Sequence, residues 1–147
     1  MLCTLRGVLD ADALRSVDEL VGEADFTDGA TTAGFRARRV KRNEQASRSD
    51  AREAVIDRVL GALEAHPVFQ VSALPRFIAP PLLSRYGPGM YYGAHVDDAL
   101  MGADEVIRTD IAVTVFLSEP TSYVGGELVV ASPYGETRVK LPRGDAV

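Results

Sequence analysis

Between Arg85 and Asp97 the sequence reads Arg-Tyr-Gly-Pro-Gly-Met-Tyr-Tyr-Gly-Ala-His-Val-Asp, its densest run of side chains that can do chemistry. In an extended strand, residues two apart point to one face. His95 and Asp97 would then aim an imidazole nitrogen and a carboxylate oxygen at one point while Val96 packs the other way. A nitrogen and an oxygen donor side by side make two corners of the facial triad that holds iron(II) and leaves positions open. Those open positions let a bidentate co-substrate and dioxygen reach the same ion. The bland alternative is a His–Asp hydrogen bond at a surface turn, and the tripeptide alone is a weak signal. Tyr92 and Tyr86 precede His95, with the Gly87-Pro88-Gly89 turn between them. Their hydroxyls can bind a small acid while their rings exclude water, whereas ordinary strand packing accounts for Tyr91.

The pattern Arg-Tyr-x-x-Gly-x-x-Tyr-x-x-His-x-Asp, from Arg85 to Asp97, resembles the metal-binding strand of the prolyl-4-hydroxylase-like iron(II)/2-oxoglutarate dioxygenases. Arg108 to Pro120, then Tyr123-Val124-Gly125-Gly126-Glu127-Leu128, resemble the PKHD-type hydroxylases in particular. Val40-Lys41-Arg42-Asn43-Glu44-Gln45 is similar to the same group. The resemblance implies an α+β fold in which N-terminal helices pack on a double-stranded β-helix, or jelly roll, with the site in its mouth. It implies His95 and Asp97 as metal ligands and places Tyr86 or Tyr92 near the co-substrate. Iron(II), 2-oxoglutarate, dioxygen and ascorbate as reductant are the expected cofactors. The implied reaction hydroxylates an unactivated C–H bond, on a prolyl or other peptidyl side chain or a small molecule, as 2-oxoglutarate is decarboxylated to succinate.

Such enzymes also use a second histidine and then an arginine that clamps 2-oxoglutarate. Neither occurs downstream of the motif, and both are expected after Val147. The other histidine, His66, precedes Pro67 at a predicted helix end and reads as a cap rather than a ligand. Arg138, Lys140 and Arg143 read as strand-surface charge, and Gly125-Gly126 as a hairpin turn. Asp98 should point away from the metal by the alternation that joins His95 to Asp97. Two other readings compete: a non-catalytic β-sandwich that binds ligand or senses metal, and a cupin-like metalloenzyme of another reaction class.

The elements that must position these residues follow from periodicity. Asp10 caps a helix over 10–21, with Leu14, Val17, Leu20 and Val21 on one face. Asp50 and Glu53 suggest a capping box for a helix over 50–65, closed by Pro67. Strands are predicted over 35–40, 69–71, 76–78, 82–86, 92–96, 110–117, 127–130 and 138–141. The run Ile111 to Leu117 is apolar on both faces and should lie centrally. Residues 1–75 read as a support region and 76–147 as the jelly-roll part of one structural unit. Arg143-Gly144-Asp145 forms a turn into a new strand that ends at once, so an unpaired sheet edge and a truncated domain are expected.

The totals exclude several classes. At 147 residues the chain has the size of one domain. It holds one cysteine, Cys3, so no internal disulfide can form. A net charge of -5 argues against a nucleic-acid partner. No apolar run approaches the roughly 20 residues of a membrane span, and a cytoplasmic protein is the expectation. Arg36, Arg38, Arg39, Lys41 and Arg42 form one basic stretch, read as a solvated strand face or as a rim that attracts an anion.

Overall fold

In the computed structural model, which describes residues 2–34, 37–102 and 106–147, the helices start where capping chemistry starts them. The Asp10 carboxylate accepts from Ala13 N–H at 2.8 Å, and α1 runs Ala11–Glu23 with Val17 buried. Helix α2, Asp50–Ala65, is capped one residue earlier than expected: Ser49 Oγ accepts from Arg52 N–H at 3.2 Å. The shorter serine side chain does the work assigned to Asp50. Val55, Ile56, Val59 and Leu63 form the buried stripe of α2, which packs on α1.

The expected strand over 69–71 is instead part of helix α3, Pro67–Ala73. Proline suits the first helical position because its missing N–H would have no partner there. The His66 ring caps the same helix, its Nδ1 accepting from Phe69 N–H at 3.3 Å. Phe69 therefore enters the core from a helix, joining Leu5, Val8, Leu9, Val17, Val55, Val59, Leu63, Leu83 and Ala146. Burying each aliphatic side chain of this kind stabilises by about 1.5–3 kcal/mol.

The strands are short and antiparallel. Strands β1 (Phe26–Asp28), β3 (Glu44–Ala46) and β4 (Ser84–Arg85) form one sheet, with Thr27, Gln45 and Ser84 in register. Strand β2 (Lys41–Arg42) pairs with β5 (Tyr91–Tyr92), β6 (Leu100–Met101) with β7 (Ile107–Arg108), and β8 (Leu128–Ser132) with β9 (Gly135–Val139). The fold is thus mixed α+β, with three helices and several small antiparallel sheets among the described residues. None of those helices is long and apolar enough to cross a membrane.

Several expected strands are shorter or absent. Of the strand over 35–40, Phe35 and Arg36 lie outside the described residues, and Ala37–Val40 is a 3-10 turn. Residues 76–78 are not in a strand, and only Ser84–Arg85 of 82–86 lies in one. The run 110–117 holds only an isolated bridge from Val115 to Ala146. Its apolar character does not make it central: Ile111 is 58% exposed. The edge expected after Arg143-Gly144-Asp145 is paired on both sides. Ala146 exchanges hydrogen bonds with Leu5, and Val147 with Thr114, so Ala146 is fully buried.

Candidate metal centre

The site is hung from the β2–β5 pairing. Just beyond β5, Gly93 N–H donates to the Val40 carbonyl at 2.8 Å. A Cβ on Gly93 would lie 2.9 Å from Val40 Cβ, so only glycine allows the two backbones this close. The Gly93 carbonyl in turn receives His95 Nδ1 at 2.7 Å. A carbonyl can only accept, so Nδ1 carries a proton, which leaves Nε2 as the ring nitrogen available to a metal ion. Nε2 stands 3.3 Å from Asp97 Oδ1. One imidazole face stacks on Tyr92, with ring centroids 3.7 Å apart and planes within 12°.

His95 and Asp97 thus converge, but not by strand alternation. Strand β5 ends at Tyr92 and residues 93–98 are irregular. The Gly93 hydrogen bond and the Tyr92 ring orient the imidazole, and the carboxylate comes in from the irregular segment that follows. The pair is open on its far side: the His95 side chain is 25% exposed and that of Asp97 65%. Asp98 Oδ2 lies 2.8 Å from where a Cβ on Gly34 would stand, so its carboxylate is seated against that glycine.

Both tyrosines border this region. Burial raises the pKa of Tyr92, and the charges of Asp97 and Asp98 raise it further. Burial also raises that of Tyr86, offset in part by a side-chain contact with Asn43 and reinforced by Tyr92. Each phenol therefore keeps its proton at neutral pH and has an O–H to donate. Lys41, the register partner of Tyr92, holds its ammonium 5.1 Å from that ring's centroid. Neither this role for Lys41 nor that of Gly93 was anticipated from the sequence. The available signal was the alternation of Lys41, Asn43 and Gln45.

The remaining candidates lie elsewhere. His66 Nε2 donates to the Arg6 carbonyl at 3.1 Å while Nδ1 caps α3, so both ring nitrogens serve the fold. Arg143 is no surface charge; it bonds the Leu14 carbonyl at 3.1 Å and pairs with Asp18, pinning the last turn to α1. Lys140 donates to the Tyr123 carbonyl, and Arg138 is exposed on β9. Gly125 and Gly126 both adopt positive φ, +75° and +70°, in the bend before β8. In the basic stretch, Arg38 Nε bonds the Ala30 carbonyl, and Arg36 lies outside the described residues. Among the described residues, no group of three His, Cys, Asp or Glu side chains is placed to hold a metal ion.

No family model matches the sequence. Curated relatives match all of it. A PKHD-type hydroxylase of Thioalkalivibrio sulfidiphilus is 50% identical over the whole chain, which covers 66% of that relative. One of Maricaulis maris is 46% identical with the same coverage, and one of a Polaromonas species is 43% identical, with 67% of its length covered. The chain spans about two thirds of the length of these relatives, 66% to 67%.

Proposed function

We propose, from the premise that this chain belongs to the PKHD-type hydroxylases, that it forms the metal-binding portion of an iron(II)- and 2-oxoglutarate-dependent dioxygenase. The observation that carries the reading is the convergence of His95 Nε2 and Asp97 Oδ1 at 3.3 Å, with His95 Nδ1 tied to the Gly93 carbonyl. The donor set fits iron(II). A neutral imidazole whose second nitrogen is held by a carbonyl is the usual state of a metal-bound histidine. With a carboxylate beside it, two corners of a facial triad are present.

When bound, iron(II) supplies the redox chemistry by which dioxygen and 2-oxoglutarate become succinate and carbon dioxide while one oxygen atom enters a C–H bond. The chain's own residues do the rest. Gly93 fixes the imidazole tautomer, and Tyr92 covers one ring face against water. The protonated hydroxyls of Tyr86 and Tyr92 are donors for the oxygens of a small acid. In this reading the second histidine and the arginine clamp come from outside the two thirds of the relatives that this chain matches. Residues 76–147 then contribute to a jelly roll for which 1–75 is the support. The substrate is a peptidyl side chain, prolyl among the candidates, or a small molecule.

The test is succinate formation from 2-oxoglutarate by the whole protein with iron(II) and ascorbate. Turnover that disappears in His95→Ala and Asp97→Ala variants with unchanged melting temperatures supports the reading. Turnover that survives both substitutions contradicts it.

A further inference from the structure

From Lys41 to Gln45 the chain alternates between interior and outside as a strand does, yet its interior positions are polar. Lys41, Asn43 and Gln45 are 6%, 4% and 5% exposed. A buried polar group is costly unless it is hydrogen-bonded. The stripe is satisfied at one end only. Gln45 Nε2 donates to Ser84 Oγ at 3.2 Å, and its Oε1 accepts from Thr32 Oγ1. Neither polar atom of Asn43 has a hydrogen-bond partner of ordinary geometry. Its Oδ1 is seated against Gly29, only 2.1 Å from where a Cβ there would stand, and its amide is in side-chain contact with the Tyr86 phenol. The Lys41 ammonium has three N–H donors. It makes one hydrogen bond, to Thr32 Oγ1 at 3.2 Å, and no salt bridge among the described residues. Burial lowers its pKa, opposed in part by the charge of Asp28.

Lys41 and Asn43 adjoin the two tyrosines of the candidate metal centre. Lys41 is in register with Tyr92, which stacks on His95, and the Asn43 amide influences the Tyr86 phenol. Arg38 and Arg42 are exposed within the same short run, in a chain whose net charge is -5. Lys41, Arg38 and Arg42 thus bring positive charge to a wall that also carries the carboxylates of Asp28, Asp97 and Asp98. A buried cation with N–H donors to spare and no carboxylate in salt-bridge contact, two residues from a buried amide, is suited to an oxyanion.

We infer that Lys41 and Asn43 form a carboxylate-binding subsite beside Tyr86 and Tyr92, holding the acid group of a ligand that extends toward His95 and Asp97. The purpose of the subsite rests on the proposed function; its binding chemistry does not require the metal. The carboxylate comes either from the dicarboxylic co-substrate or from the substrate that is hydroxylated.

Two probes distinguish these sources in the metal-free whole protein, followed through the Lys41 side-chain and Tyr92 ring resonances. Glutarate has two carboxylates and no keto group with which to chelate iron; N-acetylglycine has one carboxylate. A shift with glutarate that 2-oxoglutarate competes away assigns the subsite to the co-substrate. A shift with N-acetylglycine that persists in saturating 2-oxoglutarate assigns it to the substrate. In either case Lys41→Met should weaken binding by about tenfold or more, the scale of a charge-assisted hydrogen bond. Its melting temperature should hold or rise, because a desolvated charge has been removed. The inference is overturned if no probe moves Lys41, if Lys41→Met binds as tightly as wild type, or if it melts lower because the cation is structural. Because no metal is present, such a failure leaves the His95–Asp97 assignment untouched. Retained iron binding in the His95→Ala and Asp97→Ala variants would instead sink that assignment and spare this one.

Discussion

The helical part of this chain and the part that carries the candidate metal centre are held together by different means. Residues from Leu5 to Leu83 bury a continuous aliphatic core between α1, α2 and α3, joined by Ala146. From Ser84 to Arg138, Phe116 is the one buried apolar residue among those described, while Val96 is 91% and Tyr134 100% exposed. There the geometry rests on single hydrogen bonds and ring contacts, such as Gly93 to Val40, His95 to Gly93, and Tyr92 on His95. A core tolerates small shifts by repacking. A site hung on a few directional contacts does not, and misplacing one of them costs function before it costs the fold.

The contrast is broken or sharpened by substitution. Leu63→Ala, in the α2 stripe, should destabilise by about 2–5 kcal/mol in urea melts. Loss of less than about 1 kcal/mol would mean that the helical core is not the main source of stability. Gly93→Ala forces a methyl group against Val40 and should cost about 1–3 kcal/mol as an overpacked contact. Its larger consequence should be functional, weakening metal binding by about 10- to 100-fold, as loss of an outer hydrogen bond does. An affinity equal to wild type would show that the Gly93 carbonyl does not orient His95.

A smaller effect is expected at alkaline pH. Because the folded pKa of Lys41 is lowered from 10.5, the unfolded chain binds more protons between the lowered value and 10.5. Stability contributed through Lys41 should therefore rise with pH across that window. Subtracting the profile of Lys41→Met from that of wild type should reveal the rise; a flat difference would mean that the ammonium is solvated. Smallest of all, Val96→Ser should change stability by less than about 0.5 kcal/mol, since its side chain packs on nothing.

The same division governs what was legible in the sequence. Helices α1 and α2 could be read because their signals are local: Asp10 before an apolar stripe, and Val55, Val59 and Leu63 at helical spacing. Even there the cap of α2 was misplaced by one residue, since Ser49 and Asp50 are both competent. Phe69 to Val71 misled because a short apolar run fits a strand or a helix, and the deciding features were Pro67 and the His66 cap. Strand pairing is non-local, and the apolar run 111–117 did not specify partners. His95 and Asp97 were found by their types and spacing, although the reason they meet is a hydrogen bond to Gly93. Lys41 was visible only as one of five neighbouring cations; its burial depends on pairing with Tyr92, some fifty residues away in sequence.

The most direct measurement for the central claim is anaerobic iron(II) titration of the whole protein beside its His95→Ala and Asp97→Ala variants, with melting temperatures as the control for folding. Saturable binding is expected in wild type and a loss of about 100-fold or more in each variant, as when a metal ligand rather than an outer partner is removed. Wild-type affinity retained in both variants would contradict the claim.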